Sequence, residues 1–277
     1  MRKFLIAILS LALVAAFVLP GMARAADKSV MMATTTSTDD TGLLDYLAPK
    51  FKADTGIELK WTATGTGKAL AMGKDCNVDV LLVHAPAAEK KLVDEGAVID
   101  RTEVFYNDFV ILGPAADPAK AKGASVAAAL KAIADKKAVF VSRGDDSGTH
   151  KAEQALWKAV NMPLPDKEAW YVSAGQGMIA TINIAAEKNG YVMTDRGTFI
   201  KYEADKQGKP PVVILVEGDT ALFNQYSVIP VNPAKCPGVK HDLAEKFRVW
   251  LASPKVQKEV ADFTLMDKQL FTPNAVK

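Results

Sequence analysis

Val141-Ser142-Arg143-Gly144-Asp145-Asp146-Ser147-Gly148-Thr149-His150 is the stretch that decides how this chain is read. A short apolar strand, residues 137–141, precedes it. An amphipathic run over residues 151–160 follows, with Ala155, Leu156 and Ala159 on one side. Strand, polar glycine loop and helix in that order place the open backbone N–H groups of a helix start beside two hydroxyls and a guanidinium. Such N–H groups lack intrahelical partners, and the helix dipole favours negative charge, so the place suits a small anion. Ser147 and Asp146 also suit plain helix capping, which needs no ligand. Two similar loops upstream favour the anion.

Working outward, residues 1–25 read as a signal peptide. Arg2 and Lys3 lead an apolar run over residues 4–19, then Pro20-Gly21 and the small-residue site Ala23-Arg24-Ala25. That run is shorter than the ~20 residues a membrane span needs, so cleavage after Ala25 and export to the periplasm are expected. No cysteine stands at the cleavage site to carry a lipid anchor. The formal charge of the full chain is +2, and Arg2, Lys3 and Arg24 leave with the signal, so the mature chain carries 2 − 3 = −1. It has no basic tract for nucleic acid or a membrane surface. Cys76 and Cys236 would meet an oxidising compartment, where a disulfide is open to them; the sequence does not show them to be close. With His84, His150 and His241 they make no metal-ligand spacing.

Strand and helix signals alternate from the mature start. Residues 30–33 read as a strand, then Thr34-Thr35-Thr36-Ser37-Thr38, then a helix burying Leu43, Leu44, Leu47 and Phe51, kinked or restarted at Pro49 and ended by Gly56. A strand over 57–63 leads into Thr64-Gly65-Thr66-Gly67-Lys68 and a short helix. Residues 78–83 are nearly all apolar, as in a buried parallel strand, and a helix over 87–95 follows. This order implies α/β with a parallel sheet. The mature chain exceeds one typical domain of ~100–150 residues, so two lobes are expected. Tyr106-Asn107-Asp108-Phe109-Val110-Ile111-Leu112-Gly113-Pro114 parallels Phe223-Asn224-Gln225-Tyr226-Ser227-Val228-Ile229-Pro230. We read the pair as outward and return crossovers. Residues 26–110 and 222–277 then form a discontinuous first lobe, residues 111–221 an inserted second lobe, and a ligand cleft lies between them.

Three loops share one design, a strand end followed by Thr, Ser or Gly and a helix: residues 34–38, 64–68 and 143–149. In open α/β sheets ligands bind where such loops gather, outside the carboxyl ends of the strands. A clamped ligand would meet hydroxyls, backbone N–H groups and Arg143, a donor-rich cage for a tetrahedral oxyanion. Asp145 and Asp146 can hold Arg143, cap the helix or accept a ligand proton. The turns at residues 173–177 and 194–198 are explained by turn chemistry, or line the cleft. His84 reads as a capped or surface imidazole, with approach to the ligand as the sharper alternative. Lys68 is a counter-charge or a solvated helix residue. Ser147 beside His150 lacks the Gly-x-Ser-x-Gly elbow of a hydrolase, and residues 64–68 lack a nucleotide P-loop, so no enzyme and no cofactor are expected.

Together, TTTS at 34–37, VDVLLVHAP at 78–86, RGDDSGTH at 143–150, SAGQGM at 173–178 and TDRGT at 194–198 resemble the periplasmic tungstate-binding proteins, TupA, the receptors of tungstate ABC importers. The resemblance spans essentially the whole mature chain. A looser Arg-x-Asp-x-Ser-Gly-Thr pattern is shared with phosphate receptors, so molybdate, phosphate or sulfate reception are the alternatives, with an exported serine hydrolase more remote. The resemblance implies a two-lobed periplasmic-binding-protein (type II) fold that closes on its ligand, a monomer that docks on a membrane permease. It implies donors from Thr35, Thr36 and Ser37, with Thr64 and Thr66, in the first lobe. Arg143, Ser147, Gly148 and Thr149 would donate from the inserted lobe.

Overall fold

The computed structural model describes residues 28–275. The signal peptide expected at residues 1–25 lies outside the described residues. The chain begins with β1 (Ser29–Thr35), α1 (Thr36–Asp39), α2 (Leu43–Thr55), β2 (Glu58–Thr64), α3 (Thr66–Lys74), β3 (Val80–Val83), α4 (Pro86–Asp94) and the long β4 (Thr102–Gly113). A second series follows: α5 (Val126–Asp135), β5 (Phe140–Ser142), α6 (Gly148–Ala159), β6 (Tyr171–Ser173), α7 (Met178–Glu187), β7 (Tyr191–Asp195), α8 (Arg196–Asp205) and β8 (Val213–Val216). The chain returns through β9 (Phe223–Pro230) to α9 (His241–Leu251) and α10 (Pro254–Asp262). It closes with three two-residue strands, β10 (Thr264–Leu265), β11 (Lys268–Gln269) and β12 (Thr272–Pro273).

The strand order is β2-β1-β3-β9-β4-β7-β5-β6, with β8 and β12 also on β4. β1 pairs in parallel with β2 and β3, as helical crossovers between them require. Beyond β3 the sheet is mixed, because β3 meets β9, and β9 meets β4, antiparallel. The two similar stretches thus lie side by side: β4 pairs with β9 as far as Asp108, opposite Phe223, and from Phe109 to Leu112 it pairs with β7. One strand therefore belongs to both halves of the sheet.

Cores follow from that exchange. One face of the first half buries Leu43, Leu44, Leu47 and Phe51 of α2 against Phe247 and Trp250 of α9, and the opposite face packs Leu81 and Val83 against Leu70, Val78 and Cys236. In β4, Phe109 and Ile111 enter one core of the second half and Val110 and Leu112 the other, the two-residue alternation of a strand. Each side chain of this size removed from water contributes about 1.5–3 kcal/mol. α2 runs as one element through Pro49 and ends where Gly56, at φ 70°, donates its N–H to Lys52 O. Cys76 and Cys236 are bonded, tying the end of α3 to the loop after β9. No helix among the described residues is long and apolar enough to cross a membrane.

Candidate anion-binding site

The carboxyl ends of β1, β2 and β5 open on one cavity of about 450 Å³. Thr35, Thr36, Ser37, Thr64, Thr66, Arg143, Ser147, Gly148 and Thr149 all line it, together with Gly65, Gly67, Lys68, His84, Asp145, Asp146 and Lys151. All nine residues singled out in the sequence are brought together, five from the first series and four from the second. The halves meet here: a Cβ built on Gly148 would lie 3.4 Å from Thr66 Oγ1 and 3.6 Å from His84 Cε1.

Three helices start at the cavity. Thr35 Oγ1 caps α1 by accepting from Thr38 N–H. Ser147 Oγ caps α6 by accepting the His150 N–H at 3.2 Å, and its hydroxyl also faces the Asp145 carboxylate. At the start of α3 the cap is Gly65, which has no side chain to offer, so that helix end is open to an external anion. The capping reading of Ser147 thus holds, and the same residue lines the cavity.

Arg143 is held by Asp145, whose Oδ2 accepts from Nη2 at 2.5 Å, while Asp145 Oδ1 accepts the Ser147 N–H at 3.2 Å. Burial alone would raise the Asp145 pKa, but the hydrogen bonds from the Ser147 hydroxyl and N–H, with the charge and hydrogen bond of the Arg143 guanidinium, win, and it sits below the ordinary carboxylate range. Of the roles open to Asp145, holding Arg143 is the one its contacts fit; a carboxylate so engaged is a poor acceptor for a ligand proton. Asp146 pairs with Lys151 at 2.8 Å. Two of the cavity's three cations are thus neutralised locally, and Lys68 has no carboxylate partner among the described residues. Arg143 Nε is buried and has no acceptor among the described residues.

The loop is shaped by backbone as well as by charge. Gly144 lies at φ 60°, and a Cβ there would fall 1.9 Å from Ser173 Oγ, so the turn at residues 173–177 supports the Arg143 loop from behind. Asp146 also has positive φ, at 58°, and its N–H donates to His150 Nδ1 at 3.0 Å. That imidazole nitrogen is therefore engaged with the loop backbone and is not placed to take a proton from Ser147, against a hydrolase.

An adjoining cavity of about 320 Å³ shares Thr36, Ser37 and Arg143, and is otherwise lined by Gly177, Met178, Asp195, Gly197, Thr198 and Lys201 among others. Both turns weighed in the sequence thus reach the cleft beside the main cavity. Residues 194–198 are more than a turn: Asp195 caps α8 by accepting from the Thr198 N–H and Oγ1 at 2.8 and 2.6 Å.

His84 is the principal residue that the sequence underweighted. Its Nε2 lies 2.9 Å from Thr35 Oγ1 and 3.3 Å from Ser37 Oγ; its Nδ1 lies 2.9 Å from Asn224 Oδ1. The ring stacks on Tyr226 with centroids 4.7 Å apart. Burial pushes its pKa below the usual histidine value, against the Asn224 hydrogen bond and the Asp195 charge, so the ring is neutral at neutral pH. Asn224 donates in turn to Asn107 Oδ1 at 2.8 Å. A signal existed, because these asparagines hold matching positions in the two similar stretches.

The chain matches the model of the PBP superfamily domain over residues 23–255. It is 50% identical over 239 residues to the tungstate-binding protein TupA of Campylobacter jejuni, covering 86% of this chain and 88% of that protein. Among solved structures, the tungstate-binding protein TupA from Desulfovibrio alaskensis G20 is 69% identical with a TM-score of 0.87, covering 90% of this chain and 99% of that one. The tungstate ABC transporter structure from Geobacter sulfurreducens is 46% identical with a TM-score of 0.73, covering 85% and 99%. These relatives are receptors rather than enzymes, and they bear out both the resemblance and the two-lobed fold. The chain belongs to the PBP superfamily and, within it, to the family of the tungstate-binding proteins TupA.

Proposed function

We propose that this protein is a periplasmic receptor that binds tungstate as a tetrahedral oxyanion and delivers it to the membrane permease of an ABC transporter. The observation that carries the reading is the convergence of three helix starts, from both halves of the sheet, on one cavity holding Arg143, Lys68 and a ring of hydroxyls. An anion taken from water loses much hydration, and dense, charge-assisted donation is what offsets that loss. Thr36, Ser37, Thr64 and Thr66 approach from one side, and Arg143, Ser147, Gly148 and Thr149 from the other. Thr35 lies behind them. We take residues 26–110 with 222–277 as one lobe and 111–221 as the other, with closure about β4 and β9 bringing the loops onto the ligand. The preference for tungstate over molybdate, phosphate or sulfate rests on the relatives, since size and charge do not separate the first two.

Calorimetric titration of the mature, ligand-stripped protein with tungstate, molybdate, phosphate and sulfate in turn tests this. Tight tungstate binding with weak phosphate and sulfate binding is expected. A ligand at 1,000 times its Kd adds about 4.1 kcal/mol of stability, so a thermal shift is an independent readout. No binding of any of the four would end the receptor reading.

A further inference from the structure

The inference rests on the oxyanion-receptor reading and concerns how its first loop is held. Thr35, His84, Asn224 and Asn107 form a continuous side-chain chain with successive separations of 2.9, 2.9 and 2.8 Å, running from the cavity to the strands β4 and β9. Asn107 and Asn224 stand opposite each other in the β4–β9 ladder, at its last pair but one before β4 changes partner to β7. Both asparagines are more than nine-tenths buried, as is Thr35.

The direction of each bond follows from donor and acceptor chemistry. Asn224 uses its Nδ2–H to reach Asn107, so the atom it turns to His84 is the amide oxygen, which only accepts. His84 Nδ1 must then carry the proton. In a neutral ring Nε2 is left as an acceptor, and the nearest hydroxyl is Thr35 Oγ1. A hydroxyl has one proton. Thr35 spends it on His84 and offers its two lone pairs to the Thr38 N–H and O–H, so the Ser37 hydroxyl, 3.1 Å away, keeps its proton for the cavity.

We propose that His84 is the positioning residue of the first loop: held as the Nδ1–H tautomer by the Asn224–Asn107 pair, it takes the Thr35 hydroxyl proton and leaves Thr36 and Ser37 as the outward hydroxyl donors. Thr35 then supports the anion site without donating to the anion. The relay also ties loop polarity to the two strands that join the lobes.

The test reads the tautomer directly. Nitrogen-15 NMR of the full mature protein, ligand-free at neutral pH, is expected to show His84 with the proton on Nδ1 and an acceptor-type Nε2. Asn107→Asp retains an acceptor for Asn224 and should keep that signature and tungstate affinity within about threefold. Asn107→Leu removes the acceptor, frees the Asn224 amide to turn, and should mix the tautomers and weaken tungstate binding about tenfold, the loss of one net hydrogen bond. His84→Phe keeps an aromatic ring for Tyr226 and should weaken binding at least as much while ligand-free melting shows an intact fold. An Nε2–H or doubly protonated ring in the parent protein overturns the proposal, as does an unchanged tautomer in Asn107→Leu. Failure of the parent to bind tungstate would instead sink the receptor reading and leave the tautomer result standing.

Discussion

Replacing Arg143 by Met keeps a side chain of similar length and deletes the guanidinium. In the intact loop Nη2 is held by Asp145 at 2.5 Å and Nε is buried with no acceptor among the described residues. Lys151 is paired with Asp146 at 2.8 Å, so it does not replace the lost charge. The variant therefore removes an attraction and leaves the Asp145 carboxylate uncompensated beside a dianion. Truncating one partner of a buried, hydrogen-bonded charge pair costs about 2–5 kcal/mol. The Arg143 side chain keeps 20% of its exposure, which argues for the lower half of that range. At 1.4 kcal/mol per tenfold, a loss of about 2–3.5 kcal/mol is roughly 30- to 300-fold in Kd. Calorimetric titration with tungstate measures it, and thermal unfolding without ligand is the control. Asp145 keeps its bond from the Ser147 N–H, so ligand-free melting should move little. A Kd within threefold of the parent, with unchanged ligand-free melting, would make the guanidinium a bystander and refute the site assignment.

Other expectations follow from single features. Glu153 is buried among neutral donors, accepting from Trp157 Nε1–H at 3.0 Å and Tyr171 O–H at 2.7 Å, and burial raises its pKa. Between the unfolded value of about 4.3 and the raised folded value, the native state binds more protons than the unfolded chain. Stability from this group is thus full below that window and falls as pH rises through it. Glu153→Gln should lose that slope and be no less stable at pH 7 in urea titrations from pH 4 to 8; greater destabilisation at pH 7 than at pH 4 would contradict this. Gly144→Ala adds about 1–2 kcal/mol of left-handed strain to the clash with Ser173, so tungstate affinity should fall, with partial recovery in Gly144→Ala/Ser173→Gly. The cross-link between Cys76 and Cys236 spans 160 residues, and on the chain-entropy account its loss costs about 5 kcal/mol. Cys236 packs with Val78 and Leu81, away from the cleft, so Cys76→Ala/Cys236→Ala should melt earlier yet bind tungstate within twofold.

Local pattern carried much of this protein into view. Leu43, Leu44, Leu47 and Phe51 recur at helical spacing and are the buried residues of α2; Val80, Leu81, Leu82 and Val83 read as a strand buried on both faces, and each is fully buried. The three loops were legible because hydroxyl, glycine and helix-start signals lie within a few residues of one another. They meet because β1 and β2 end on one edge of their half of the sheet, while β5, which runs the opposite way, ends on the edge that faces it across the cavity. What the alternation of strands and helices did not contain was the order in which strands return. β9 inserts between β3 and β4, turning a parallel sheet into a mixed one, and Asp195 starts a helix where the sequence suggested a turn. The pairing of Cys76 with Cys236 and the path from His84 through Asn224 to Asn107 depend on that order. Their partners stand 160, 140 and 117 residues apart, beyond the reach of any periodicity, and only the tertiary arrangement of the sheet decided them.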